Sequence, residues 1–335
     1  MRKKQIIIGI LLTLIVLVLG LYGYGLYKFN HMESGPYHLT YTIEDEAKYI
    51  GVYDNTLYYM NGTHLKAIDV DGTTRFSRPI GVGIGNVIYD KYIYIIENNG
   101  LVRALDRQNA QEIRQIKLEG PIVFSEKKDK VIILYHPKGI TSLSFDFKSV
   151  NTIQMDHRPA KIEGEADHYA VIFLDREIDG LVSRFSIFEN DQKVFHLVSD
   201  KDLFLFTKKI DNDRFLLATN RYIYLIDQAD IIAQEPLMAL KAIDVSSNQI
   251  ALADDDSLKI FDNDLKLTTN QSLDFEPVKL AILDESILLF NEDKLASYQE
   301  DNLRTSDLKD YKNFFLNEHG LYLIFDGHVE KVKSN

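Results

Sequence analysis

Nine carboxylates stand in short turns between β-type runs: Asp175, Glu177, Asp179, Asp254, Asp255, Asp256, Glu292, Asp293 and Asp326. The same turns hold three basic residues, Lys138, Arg176 and Arg221. Gathered on one face, such an excess of acid would attract a cationic partner segment or a divalent ion. Asp and Asn also suit tight turns for their own backbone reasons, so the plainer reading of the same residues is a solvated rim. Other constellations are weaker. Asp69-Val70-Asp71-Gly72 starts like a calcium loop but lacks the third acid and the distal Glu, and it reads as a turn. Asp211-Asn212-Asp213 and Asp262-Asn263-Asp264 read the same way. His136, His157 and His168 lack the spacing that puts two ligands on one helix face. Gly81-Val82-Gly83-Ile84-Gly85 precedes no helix, so it has no helix N-terminus to offer a phosphate. No G-x-S-x-G motif occurs. Zero Cys excludes thiol catalysis, Cys-ligated zinc and iron–sulfur clusters. The expectation is a protein without a cofactor and without catalysis. Carboxylate pairs for glycoside hydrolysis assemble only in space, so that activity stays open at this level.

The elements that must position these turns follow from periodicity. From about residue 38 onward the helical period is nearly absent, and short β-rich runs alternate with Gly, Asn and Asp turns. One apolar strand recurs eight times: Leu57-Tyr58-Tyr59, Ile93-Tyr94-Ile95, Ile132-Ile133-Leu134, Val171-Ile172-Phe173, Leu216-Leu217-Ala218, Ile250-Ala251-Leu252, Ile287-Leu288-Leu289 and Leu321-Tyr322-Leu323. The gaps are 36, 39, 39, 45, 34, 37 and 34 residues. A tight polar turn follows each strand, most clearly Asn61-Gly62 and Asn98-Asn99-Gly100. Units of this length and pattern are the blades of a β-propeller. The expected fold class is all-β, an eight-bladed β-propeller preceded by one N-terminal transmembrane helix. In such a meander all second-to-third-strand turns fall on one face, which would gather the nine carboxylates. The last unit lacks an outer strand, and the alternating segment 38–44 is expected to supply it, removing an open edge. The long gap reflects a lengthened hairpin around 175–180, and Asp227–Met238 is expected to form a short helical turn ending before Pro236.

Residues 6–26 carry no charge and would span roughly 32 Å as a helix, close to a bilayer's hydrocarbon core. Arg2, Lys3 and Lys4 precede the run; Tyr22, Tyr24, Tyr27 and Lys28 mark its far end. The positive-inside bias places residues 1–5 in the cytoplasm, 6–27 in the membrane, 28–36 as a short linker and 37–335 outside the cell membrane. Cleavage as a signal peptide is the rival reading, disfavoured by the length of the apolar run. Without Arg2, Lys3, Lys4 and Lys28 the remainder carries 34 basic against 50 acidic residues, a net charge of −16. That surface repels phosphate backbones, so no nucleic-acid partner is expected.

Two units carry a family resemblance. The run from Leu57 to Gly72 and the run Tyr92–Asp106, with Gly100-Leu101-Val102-Arg103-Ala104-Leu105-Asp106, resemble blades of the pyrroloquinoline-quinone-like (WD40/YVTN-type) propeller superfamily. That pattern places a strand, an Asp-Gly or Asn-Gly turn, a strand ending in Asp and a docking Trp in each blade. This chain has no Trp, and Phe76 stands at the docking position of the first unit. The stacking Trp and vicinal Cys pair of the quinone enzymes are both missing, so the resemblance does not extend to their chemistry. It is nearer to the non-enzymatic members: the propeller lipoprotein of outer-membrane protein assembly, whose anchoring Cys is absent here, and single-pass membrane-anchored propellers of the Gram-positive type of envelope. The resemblance and the anchor together imply an interaction scaffold that binds another envelope or membrane protein. Two alternatives accompany it: a glycan-binding or glycan-hydrolysing propeller, and an extracellular sensor subunit that signals through a partner.

Overall fold

The computed structural model describes residues 48–53, 56–69, 72–128, 130–165, 167–178, 180–190, 192–283, 286–308, 311–317, 320–325 and 328–332. The expected membrane helix at 6–27 and closing strand at 38–44 lie outside the described residues, as do Asp179 and Asp326. Among the described residues every regular element is a strand, and no helix is long and apolar enough to cross a membrane.

The strands form antiparallel meanders in which each strand pairs with the next in sequence. Seven sheets have four strands: residues 48–79, 84–117, 124–154, 159–199, 204–236, 242–272 and 279–307. The eighth, residues 311–332, has three. The recurrent apolar triplets all fall in the second strand of their sheet, for example Ile93–Glu97, Val131–His136 and Ile250–Ala253. These strands are buried on both faces because each sheet is covered on both sides, and continuous apolar runs are the signature of that position. The fourth strands carry mostly exposed side chains, as in Glu112–Lys117 and Asp230–Pro236, and form the perimeter. First strands meet between sheets 1 and 2, 2 and 3, 4 and 5, and 6 and 7, and the first strand of sheet 1 (Lys48–Tyr53) also meets that of sheet 8 (Tyr311–Asn317). The sheets thus close into a ring whose axis is lined by first strands.

The core is a series of seams, one between each pair of successive sheets. Phe76 is buried in the first seam beside Tyr58, with ring centroids 6.3 Å apart. The seams are sealed from below by turns between third and fourth strands. Asp106 accepts hydrogen bonds from the backbone N–H of Gln108 and Asn109, and Asp262 from those of Asp264 and Lys266. Each such turn ends on a residue with positive φ, Ala110, Phe147 or Leu265, whose side chain packs back against the preceding sheet. Tyrosines bolt two of these turns from the neighbouring sheet: Tyr58 Oη donates to the carbonyl of Arg107 at 3.3 Å, and Tyr94 Oη to that of Phe145 at 2.7 Å.

Two local expectations meet the structure here. The long gap is a lengthened hairpin: the strands His168–Glu177 and Gly180–Glu189 have ten residues each. The expected helical turn within 227–238 is instead a strand, Asp230–Pro236, paired with Tyr222–Asp227. Gln228 adopts φ of 50°, which folds a two-residue turn and commits the chain to pairing. Pro236 is tolerated because it ends an outer-edge strand.

Candidate interaction face

The meander divides the connections between two faces. Turns joining second to third strands, together with the sheet-to-sheet connections, lie on one face, called upper here. Turns joining first to second and third to fourth strands lie on the lower face.

Exposed apolar side chains follow that division. Val82, Val123, Ile178, Met238 and Val278 stand in upper-face connections, and Phe124, Leu181 and Leu205 at the upper ends of their strands. Val82 is 81%, Met238 87% and Ile178 103% exposed. The other exposed large hydrophobic residues, such as Ile113, Val194 and Ile232, lie on perimeter strands, with Val150 and Leu267 at the lower ends of theirs; none lies within a described lower-face turn. Backbone bonds place several upper residues at the mouth of the central axis. Val123 N–H donates to the carbonyl of Tyr135 and Val278 N–H to that of Phe290, each just before an innermost strand. Isolated exposed apolar residues need no explanation, but a concentration on one face does.

The seven described carboxylates singled out in the sequence sit on this same face, and four of them are paired with cations from beyond their turns. Asp175 bridges His157 Nδ1 at 2.9 Å and Arg184 Nη1 at 2.7 Å, and Glu177 holds the other end of the Arg184 guanidinium. Asp254 is buried, 2.8 Å from Lys259 Nζ, and accepts hydrogen bonds from Ser257 Oγ and the Ser257 N–H. Burial pushes its carboxyl up, but the bonds from Lys259 and Ser257 outweigh burial and hold it below the usual range. Asp255 lies 2.9 Å from Lys241, which also binds Glu276; these hydrogen bonds, that to Glu276 foremost, raise the lysine's pKa. Asp256, Glu292 and Asp293 have no ion-pair partner among the described residues. They add negative charge to the upper turns of sheets 6 and 7, the sheets that the connections holding Met238 and Val278 lead into. Arg176 is exposed next to Glu177. Arg221 is held by Asp202, and its hydrogen bond draws that carboxyl below its usual value.

The remaining candidates resolve into local structure. Asp211 and Asp262 accept backbone N–H groups of their own turns. His136 Nε2 meets Thr141 Oγ1 at 2.9 Å, and His168 Nδ1 meets the carbonyl of Asn212 at 2.8 Å. Among the described residues no three His, Asp or Glu side chains gather as a metal site would require. On the innermost strands Glu126 is bound by Lys161 and by Tyr135 Oη at 2.5 Å, and Glu163 by Lys128 at 3.1 Å and Lys208 at 3.7 Å. These pairs tie sheets 3, 4 and 5 together across the axis lining. Ser186 Oγ lies 2.9 Å from His196 Nδ1, but Ser186 is buried and no described carboxylate bonds to His196.

The exposed apolar residues were not singled out from sequence. Ile178, between Glu177 and Asp179 in a polar hairpin, is the one whose setting gave a signal: an isoleucine there has no turn-forming role.

No protein-family model and no curated protein matches the chain. Solved structures do. Sqt1 of Chaetomium thermophilum, determined bound to the N-terminus of ribosomal protein L10, superposes with a TM-score of 0.60 at 11% identity, over 86% of this chain and 92% of that one. BamB of Moraxella catarrhalis gives 0.54 at 12% identity, over 88% and 96%. The Pan2 WD40 domain of Neurospora crassa gives 0.51 at 11% identity, over 75% and 90%. Similarity at that level of identity is similarity of fold, and with the ring of antiparallel meanders it identifies the architecture of this chain as a β-propeller.

Proposed function

We propose that the chain is a membrane-anchored, extracytoplasmic propeller of eight blades that acts as a non-enzymatic interaction module in the cell envelope. Its upper face receives a segment of another envelope or membrane protein. One observation carries this reading: among the described residues, the exposed large apolar side chains that stand in connections are all on the upper face, while lower-face turns such as Asp262–Lys266 fold theirs inward. Asp256, Glu292 and Asp293 favour a partner segment that combines apolar and basic residues. The Sqt1 complex supports the reading by showing that a propeller of this shape can take a protein terminus. The charge-free run 6–26 supports the anchor. Segment 38–44 would pair beside His328–Val332 and complete the eighth blade.

In-cell crosslinking of the tagged full-length protein, followed by mass spectrometry, tests it. A specific envelope protein should be recovered with the native chain and lost with the double variant Met238→Lys, Val278→Lys at equal protein level. Equal recovery from both, or recovery of nothing above background, would refute the interaction reading.

A further inference from the structure

The seam between sheets 3 and 4 is underfilled, and the sequence says why. Tyr58 and Tyr94 bolt the first two seams, but Ile133 occupies the equivalent position in sheet 3 and cannot reach a neighbouring turn. The third-to-fourth-strand turn of sheet 4 is short and polar, with Asn190 at the positive-φ position in place of Phe147 or Leu265. Above, the fourth strand of sheet 3 (Val150–Gln154) is half the length of the ten-residue strands it faces, so part of their aromatic surface is left uncovered. Two hollows result, of about 350 and 400 Å³, which share Asn151, Ile153 and Tyr169 as a common wall. Both fall within the range of ligand pockets, about 300–1,000 Å³.

The larger, upper hollow has the richer chemistry. Its floor is aromatic: Tyr169 and Phe188 stack at 5.1 Å with 14° between planes, and Phe173 lies beside His157, edge to face at 5.8 Å. Its rim holds donors and acceptors together: the Asn151 amide, the Asp156 carboxylate, His157 and Lys193. Val150–Gln154 is an edge strand, so its outward N–H and C=O groups have no partner strand in the sheet. An anion would need a rim of donors alone, and Asp156 opposes it. A purely apolar ligand would leave the polar rim unpaired. A sugar ring meets both demands. Its hydroxyls donate and accept, and its C–H face carries the partial positive charge that an aromatic face attracts.

We infer that the upper hollow between sheets 3 and 4 is a binding site for a neutral pyranose sugar, seated on Phe188 and held by the Asn151–Lys193 rim. The hollow borders the upper-face connection 155–158, but its walls contain none of Met238, Val278, Asp256, Glu292 and Asp293, so the two readings are tested through different residues. Saturation-transfer NMR on the purified full-length chain tests it, with glucose and N-acetylglucosamine as probes and benzoate as an anionic control. Saturable transfer to the ring C–H protons of at least one sugar is expected, with dissociation constants on the order of millimolar. The rim variant Asn151→Ala, at an exposed position, should weaken it about tenfold, as should Phe188→Ala if that variant folds; Met238→Lys should leave it unchanged. No transfer to either sugar at roughly fifty times that concentration, transfer to benzoate alone, or sugar transfer unaffected by Asn151→Ala would overturn the assignment.

Discussion

Large apolar residues in the described lower turns are buried or half-buried, whereas those in upper connections divide: Ile80, Ile122, Leu237 and Leu273 are buried in seams, and Val82, Val123, Ile178, Met238 and Val278 are exposed. Leu265, in a lower turn, is 3% exposed and plugs the seam between sheets 5 and 6. Met238, in an upper connection bordering the same seam, is 87% exposed while its neighbour Leu237 is buried there. Both residues are large, flexible and apolar, so composition does not separate them. Backbone geometry does: an Asx turn ending in positive φ turns the Leu265 side chain inward, whereas the connection after Pro236 leaves Met238 outside. The described lower turns thus leave no large apolar side chain exposed, while the upper connections bury some of theirs and leave others exposed.

The contrast can be broken at several points. Deleting 37–45 should have the largest effect, since the proposal assigns the closing strand of the ring to that segment. A sharply lowered unfolding midpoint in urea is expected, and an unchanged midpoint would remove the closure proposal. Next, Leu265→Ala should destabilise by about 2–5 kcal/mol, the usual cost of truncating a buried leucine. Met238→Ala and Val278→Ala should change stability by no more than about 0.5 kcal/mol on the same denaturation assay. Comparable losses from both groups would erase the distinction between faces.

Among the upper-face acids, Asp254 is the structural one, and Asp254→Asn should cost about 1–3 kcal/mol by weakening the bonds to Lys259 and Ser257. Its folded carboxyl is held below the unfolded value of about 3.9. Its contribution is therefore fully present above roughly pH 4 and is lost as pH falls through the folded value. The Asn variant should show a flatter loss of stability below pH 4 than the native chain. Asp256→Asn, with no ion-pair partner among the described residues, should leave that limb unchanged. The smallest effect is a local one on the lower face. Asp146, drawn down by Ser144 and Lys148, should titrate near 2 by carboxyl NMR, and Ser144→Ala should raise that value.

Much of the architecture was legible because it is repetitive. A strand covered on both faces must be continuously apolar, so the eight triplets marked the second strands without ambiguity. Phe76 marked a seam for a different reason, because the family resemblance puts a docking residue at its position. The segment 230–236 misled because Ile-Ile-Ala-Gln-Glu fits a helix as well as a strand, and only pairing with Tyr222–Asp227 decides. The site was legible in part. The turns carrying the acids could be assigned to one face, but their neutralisation could not. Arg184, Lys259 and Lys241 reach Asp175, Asp254 and Asp255 from strands and connections that no turn-by-turn reading includes. Exposure of Val82 or Met238 was equally hidden, since whether a loop residue points in or out depends on the backbone of its turn.

The central claim is that the two faces divide the work between contact and stability. Residue-specific photocrosslinking in cells measures this most directly, with the reactive group placed in turn at Ile178, Met238 and Val278 and at Gln108, Asn263 and Lys148. The division predicts that the three upper positions capture one common protein and that the three lower positions capture none. Capture of that protein from the lower positions with equal yield would contradict it.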